Sequence, residues 1–253
     1  LFPERALRVE GKKLLDPNGR EVLLRGINVG GWLVPEAWMC GMKNHDKDDR
    51  HVLELLEKRF GNSQAEKLMD IWYDNWLTSA DLDEIARYGF NMIRVPFSWR
   101  NIQNADGSWK RNSEGKIDFS RMDWILEQAA ARNIYVIFDL HIWSGQHENY
   151  DYLSHPSAVV DREKTAAIWT EVAAHYAGHG AIAAFDLVNE PAPSAGDVLQ
   201  RMFKDAVRKS DPQRVVVVEW AEPANLEANG FTNTIYSIHW YDNNPKAHQE
   251  DLI

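Results

Sequence analysis

Asn189-Glu190-Pro191 closes the run Ile182-Ala-Ala-Phe-Asp-Leu-Val188, a short apolar stretch with the pattern of a buried strand. Pro191 stops that strand, because proline cannot donate to a ladder and disfavours a helical conformation at Glu190. An amide and a carboxyl are thereby held at the mouth of a sheet, where a βα-barrel carries its chemistry. A partly desolvated carboxyl in such a place has a raised pKa and can donate a proton near neutral pH. A solvated glutamate at an ordinary strand end would have the same local sequence, so the tripeptide alone leaves both readings open.

Other chemically capable residues fall at equivalent places. Arg94 lies in the apolar run 91–95, Asp139 and His141 close 134–140, Glu219 closes 214–220, and His239 and Tyr241 close 234–240. Between these runs the pattern is helical. Thr78-Ser-Ala-Asp81 reads as a capping box opening a helix that Gly89 ends. Further helices run through Met122, Ile125 and Ala129 to a stop at Asn133, through Ile168, Val172 and Tyr176 to Gly178, and over 196–209. Upstream, 6–25 reads as a hairpin about the turn Asp16-Pro-Asn-Gly19, a lid over the bottom of the fold. Residues 22–29 read as the first core strand, and helices are expected over 49–59 and 65–76.

Helices alternating with fully apolar strands imply a parallel sheet covered by helices. A doubly wound sheet gathers its ligand groups at one switch point, whereas a barrel draws them from most of its strands. The repeated polar strand ends favour a TIM-barrel type of α/β fold. Pro96 is expected to end the strand that contains Arg94.

Composition narrows the chemistry. A net charge of −10 argues against nucleic acid or an anionic membrane surface as a partner, since both require a basic face. No apolar run approaches the roughly 20 residues of a membrane helix. Cys40 is the single cysteine, and neither structural-zinc spacings nor HExxH occur, so no metal is expected. Gly30-Gly31 lacks the context of a dinucleotide loop, which leaves no cofactor expected. His45, His51, His175 and His179 read as surface or packing residues. Eleven tryptophans is a high number, and indole faces stack on sugar rings.

Taken in order, five segments resemble glycoside hydrolase family 5, of the retaining clan A (β/α)8 barrels: 24–33 (LRGINVGGWL), 89–96 (GFNMIRVP), 138–141 (FDLH), 187–191 (LVNEP) and 238–241 (IHWY). Within that family, residues 30–38 (GGWLVPEAW) are most similar to the exo-β-1,3-glucanase branch. The resemblance implies a β-glucan as partner, and Glu190 as the general acid/base of a two-step retaining hydrolysis. It implies that Asn189 binds the sugar 2-hydroxyl and that Arg94 and Tyr241 orient the nucleophilic carboxylate. His141 and His239 would bind hydroxyls and position Glu190. Glu36 and Asp151 fall where that branch holds a terminal sugar, although 142–149 (IWSGQHEN) differs from its loop. Trp32, Trp38, Trp143 and Trp240 are candidates for stacking on sugar, and Asp139 reads as a structural partner of Arg94. A secreted or periplasmic location is implied as well.

Six core strands are counted, and the family places its nucleophilic Glu on the seventh and a stacking Trp on the eighth. The expectation is one catalytic-type barrel domain over 1–253 with about six of eight βα units, a piece of a longer enzyme. Glu219 ends the strand beside Glu190. Neighbouring strands lie about 4.8 Å apart and retaining carboxyls about 5–5.5 Å apart, but both would reach the sugar from one side, so Glu219 reads as structural or substrate-contacting. The alternatives are a catalytically incomplete carbohydrate-binding fragment and a related β-mannanase or glycolipid glycosidase.

Overall fold

The structure, a computed structural model, describes residues 2, 7–36, 39, 49–104, 106–144, 159–191, 196–219 and 230–239. Trp38, His45, Asp151, Trp240 and Tyr241, named above, lie outside the described residues, as does the side chain of His51.

A hairpin of β1 (Arg8–Glu10) and β2 (Lys13–Leu15) precedes a sheet of six parallel strands. These are β3 (Gly26–Asn28), β4 (Met92–Ser98), β5 (Tyr135–Ile142), β6 (Ile182–Asp186), β7 (Val216–Glu219) and β8 (Thr234–Ser237), and each pairs with the next in chain order. The helices are α1 (Asp49–Phe60), α2 (Asn62–Trp76), α3 (Ser79–Arg87), α4 (Ser120–Ala131), α5 (Val159–His175) and α6 (Gly196–Ser210). Sequential parallel pairing with helical crossovers is the construction of a (β/α)8 barrel, here with six strands among the described residues.

Local signals fix the helix ends. Thr78 and Asp81 form the expected capping box, with Asp81 Oδ2 accepting from the Thr78 backbone at 2.8 Å. After α3, Gly89 takes φ 78°, and after α4 Asn133 takes φ 57°, the left-handed conformation that glycine and asparagine tolerate best. Strand β4 differs from the sequence expectation because it runs through Pro96 to Ser98. The register with β5 shifts between Phe97 and Ser98, and bulges of this kind are where a sheet accommodates proline. The first core strand is also shorter than 22–29, pairing only over Gly26–Asn28.

Alternation along the strands divides the molecule. Ile93, Val95 and Phe97 of β4, Val136, Phe138 and Leu140 of β5, and Val216 and Val218 of β7 face the helices in one large core. On the opposite face, Ile137, Ala183, Ala184 and Val217 pack with Leu7, while Val9, Leu14, Val22, Leu24, Met92 and Ile235 close around them. The hairpin segment therefore packs against the amino-terminal end of the sheet. Its tight turn is held by Asp16, whose Oδ1 accepts from the backbones of Asn18 and Arg20 at 2.8 and 2.9 Å.

Arg214 ties the lower end together. Fully buried, it donates to Asp211 at 2.9 Å and to the carbonyls of Ile182, His179 and Tyr176 at 2.6, 3.2 and 3.3 Å. Arg214→Met keeps the bulk but strands the Asp211 carboxylate and those carbonyls. Removing one partner of a buried pair costs about 3–5 kcal/mol. A denaturant-midpoint measurement should register a loss of that order, and a loss near that of an ordinary surface substitution would contradict this account.

Candidate functional site

One pleat above the apolar layer that includes Met92, Ile137, Ala184, Val217 and Ile235, the same inward-facing positions become polar. Arg94, Asp139, Asp186 and Glu219 follow the apolar residues at a spacing of two, the period of a strand. Parallel register aligns them: Asn28 lies opposite Arg94, and Asp139 opposite Asp186.

Arg94 is the hub. Its Nε donates to Asp186 Oδ2 at 2.9 Å and its Nη2 to Asn189 Oδ1 at 2.9 Å. Nη1 lies 3.0 Å from Asp139 Oδ2 and donates to Asn28 Oδ1 at 3.2 Å, while Glu219 Oε1 stands 3.6 Å from Nη2. Burial alone would lower the guanidinium pKa, but Asp139, Asp186 and Glu219 outweigh it and raise it further, so Arg94 stays charged. Asp186 moves the other way. Its burial, with Asp139 and Glu219 nearby, pushes the carboxyl up despite its contact with Arg94.

Beyond β6 the backbone turns sharply. Glu190 has φ 45°, a left-handed conformation uncommon outside glycine, and its N–H donates to Glu219 Oε2 at 2.7 Å. Conformations of this kind persist where surrounding bonds over-determine them. Glu219 is itself clamped by Gln200, which donates to its carbonyl and accepts from its N–H, each at 2.6 Å. The result is a Glu190 side chain 27% exposed above a Glu219 side chain 1% exposed.

Two histidines complete the cluster. His239 bridges the glutamates, with Nδ1 2.7 Å from Glu190 Oε1 and Nε2 2.8 Å from Glu219 Oε1. These hydrogen bonds, to Glu190 first and then Glu219, hold its pKa up at about 10. His141 Nδ1 lies 2.7 Å from Asp139 Oδ2 and its Nε2 3.6 Å from Glu36 Oε1. Burial works against a charge there, yet Asp139 and Glu36 prevail and raise the imidazole to about 9. Both rings are cations at neutral pH.

Arg94, Asn189, Glu190 and His239 thus form one contact network, and His141 and Glu36 join it through Asp139. Trp32 does not. The ring is 2% exposed, donates to the Tyr73 carbonyl at 2.7 Å and packs against Trp124, so it is a core residue without a free stacking face. Trp143 is enclosed too, at 1% exposure. Asn28, Asp186 and Gln200 were not singled out from sequence. A charge inside an apolar strand was the sequence signal for Asp186, and the register with Asp139 supplies its direction.

The comparisons agree with this architecture. A family model, the cellulase of glycosyl hydrolase family 5, matches residues 46–251. A β-xylosidase of Phanerodontia chrysosporium is 28% identical over 93% of this chain and 52% of its own length. The probable glucan 1,3-β-glucosidase A of Aspergillus niger is 25% identical over 87% of this chain and 55% of its own. The endoglucanase Cel5A of Thermotoga maritima superposes with a TM-score of 0.56 at 21% identity, covering 90% of this chain and 63% of that one. The chain spans about half the length of the curated relatives it matches.

The raised His239 pKa makes a pH prediction. A group whose folded pKa is raised stabilises fully below its unfolded value, about 6.5, and loses that contribution as pH climbs through the folded value, about 10. Stability should therefore decline across that window. His239→Gln should make the decline shallower, leaving the share due to His141. Chemical denaturation at several pH values measures this, and an equally steep decline in the variant would refute the charged His239. The six-stranded parallel sheet, the Asn189-Glu190-Pro191 turn beside Arg94 and the match over most of the sequence place this chain in glycosyl hydrolase family 5, the cellulase family.

Proposed function

We propose that this chain is the larger part of a retaining glycoside hydrolase that cleaves β-linked glucans, with Glu190 as the acid/base. The observation that carries the reading is the setting of Glu190. It is a partly exposed carboxyl on a constrained turn, hydrogen-bonded to a cationic imidazole and adjacent to an amide anchored by Arg94.

In this reading Glu190 protonates the glycosidic oxygen in the first step and then deprotonates the water that releases the sugar. Asn189, its Oδ1 engaged by Arg94, is left to offer its amide N–H₂ to the sugar 2-hydroxyl. His239 positions Glu190, His141 and Glu36 bind hydroxyls, and Asp151, Trp240 and Tyr241 have the roles the family resemblance implies. Arg94 orients the second carboxylate. That carboxylate is not Glu219. One Glu219 oxygen accepts the Glu190 N–H, the other faces His239, and the side chain is buried, so attack on a sugar carbon would dismantle the turn holding Glu190. The nucleophile is supplied by sequence further along a longer protein, of which 1–253 is one partial barrel domain. A secreted or periplasmic setting follows from a polymeric glucan substrate. The engagement of Glu219 also favours a second reading, in which the chain binds β-glucan without cleaving it.

Assays on a soluble β-glucan and an aryl β-glucoside, with the chain alone and with its longer parent, separate these readings. The parent should hydrolyse both substrates and the chain alone should bind without appreciable turnover. In the parent, Glu190→Gln should slow glucan hydrolysis by about 10²–10⁴-fold, the usual contribution of general acid–base catalysis. It should spare the first step on aryl glycosides whose leaving groups need no proton. Full activity of Glu190→Gln on glucan would remove Glu190 from the mechanism, and equal turnover by chain and parent would return Glu219 to candidacy.

A further inference from the structure

We propose that Asp139 is a positioning residue of the cleft: through one oxygen it anchors both Arg94 and His141, so that His141 presents a charged N–H to the ligand. The proposal rests on the reading of the cleft as a glucan site, but its geometry stands apart from that reading. Asp139 and His141 are two residues apart on β5 and share the inward pleat, so the carboxylate sits directly below the imidazole. Oδ2 is 2.7 Å from His141 Nδ1 and 3.0 Å from Arg94 Nη1, joining side chains from two adjacent strands. The carboxylate is fully buried, and its Oδ1 has no hydrogen-bond partner among the described residues. Among the described residues, the close polar contacts of this buried anion are therefore made by the one oxygen that Arg94 and His141 share.

The consequence lies in the tautomer. An ionised carboxylate only accepts, so the His141 nitrogen that faces it must carry a proton. Three charged groups bear on the ring: Asp139 from β5, Glu36 from the segment after β3, and Arg94 from β4, which reaches it through Asp139. Two carboxylates against one guanidinium favour the imidazolium, whose second N–H then points toward Glu36 and the cleft. A hydroxyl oxygen of a neutral sugar would meet a charged donor there, and charge-assisted bonds are the shorter and stronger kind. Without Asp139, His141 would be a partly buried imidazole beside a guanidinium. Its charged form would be less favoured, and Arg94 would lose one of the two carboxylates within 3.0 Å.

Side-chain nitrogen correlations in the chain labelled with ¹⁵N-histidine, followed from pH 5 to 10 and assigned with His141→Gln, test this without any turnover. In the unaltered chain His141 should titrate near 9 with Nδ1 protonated on both sides of the transition. Asp139→Asn should lower that midpoint by about 1–3 pH units, the effect of losing one close opposite charge. Asp186→Asn removes a different Arg94 partner with no contact to His141 and should leave the midpoint in place. A midpoint near the ordinary histidine value in the unaltered chain overturns the proposal, even if Asp139→Asn fails to fold. So does an unchanged midpoint in a folded Asp139→Asn, or an equal fall in Asp186→Asn. Failure of the hydrolase reading would appear instead as unimpaired glucan cleavage by Glu190→Gln.

Discussion

A single guanidinium decides the upper half of this sheet. Arg94 stands within 3.6 Å of three buried carboxylates contributed by three different strands. Remove the cation and Asp139, Asp186 and Glu219 would share a low-dielectric interior with no permanent countercharge, which costs several kcal/mol per ion. Arginine suits the task where lysine would not. Its planar fork reaches Asp186 through Nε, Asn28 and Asp139 through Nη1, and Asn189 through Nη2, four partners in four directions. Each direction points at a different strand or turn, so the fork also sets how those strands lie relative to one another.

The histidines extend the same logic outward. Three buried carboxylates, Glu190 and Glu36 face Arg94, His141 and His239, five acids against three cations. Asp186 absorbs part of that excess: its pKa is driven up toward the neutral form by burial and by its acidic neighbours. The remaining acids are each met by a cation, Asp139 by His141 and Arg94, and Glu190 and Glu219 by His239. Glu36 and Glu190 reach solvent appreciably, and Glu190 is the more exposed of the two. Its exposure follows from the left-handed turn at φ 45°, which lifts the residue off the strand direction while Glu219 holds its N–H from below.

Much of this was legible in the sequence. The helix–strand alternation, the capping box at Thr78, the stops at Gly89 and Asn133, and the strand-end positions of Arg94, His141, Asn189 and Glu190 all come from local patterns that tertiary packing leaves intact. What sequence could not supply was direction. Trp32 sits in a motif next to the cleft, yet its ring turns into the core, because the turn after β3 faces α2 and Tyr73 offers the indole N–H a carbonyl. Asp186 was hidden for the opposite reason. In a run as apolar as 182–188 it reads as a tolerated polar residue until the register with Asp139 places it under Arg94. Pro96 misled by a general rule, since proline does stop most strands but survives beside a bulge.

The division of the inward face into an apolar lower layer and a charged upper one is what makes the site possible. Ile137 and Asp139 are separated by one strand period, as are Val217 and Glu219, so the passage from hydrocarbon to charge occurs over roughly 7 Å. Below that line Leu7 and the hairpin residues Val9 and Leu14 pack against the apolar layer of the strands. Charges on such a floor interact more strongly than they would in water. The same inward face borders a cavity of about 1120 Å³ that reaches from the hairpin residues Val9 and Leu14 up to His239 after β8, with Arg94 and Asp186 on its wall. A ligand group entering there would meet a polar surface whose orientation was fixed during folding, which is the condition under which electrostatic stabilisation costs no reorganisation at the moment of reaction.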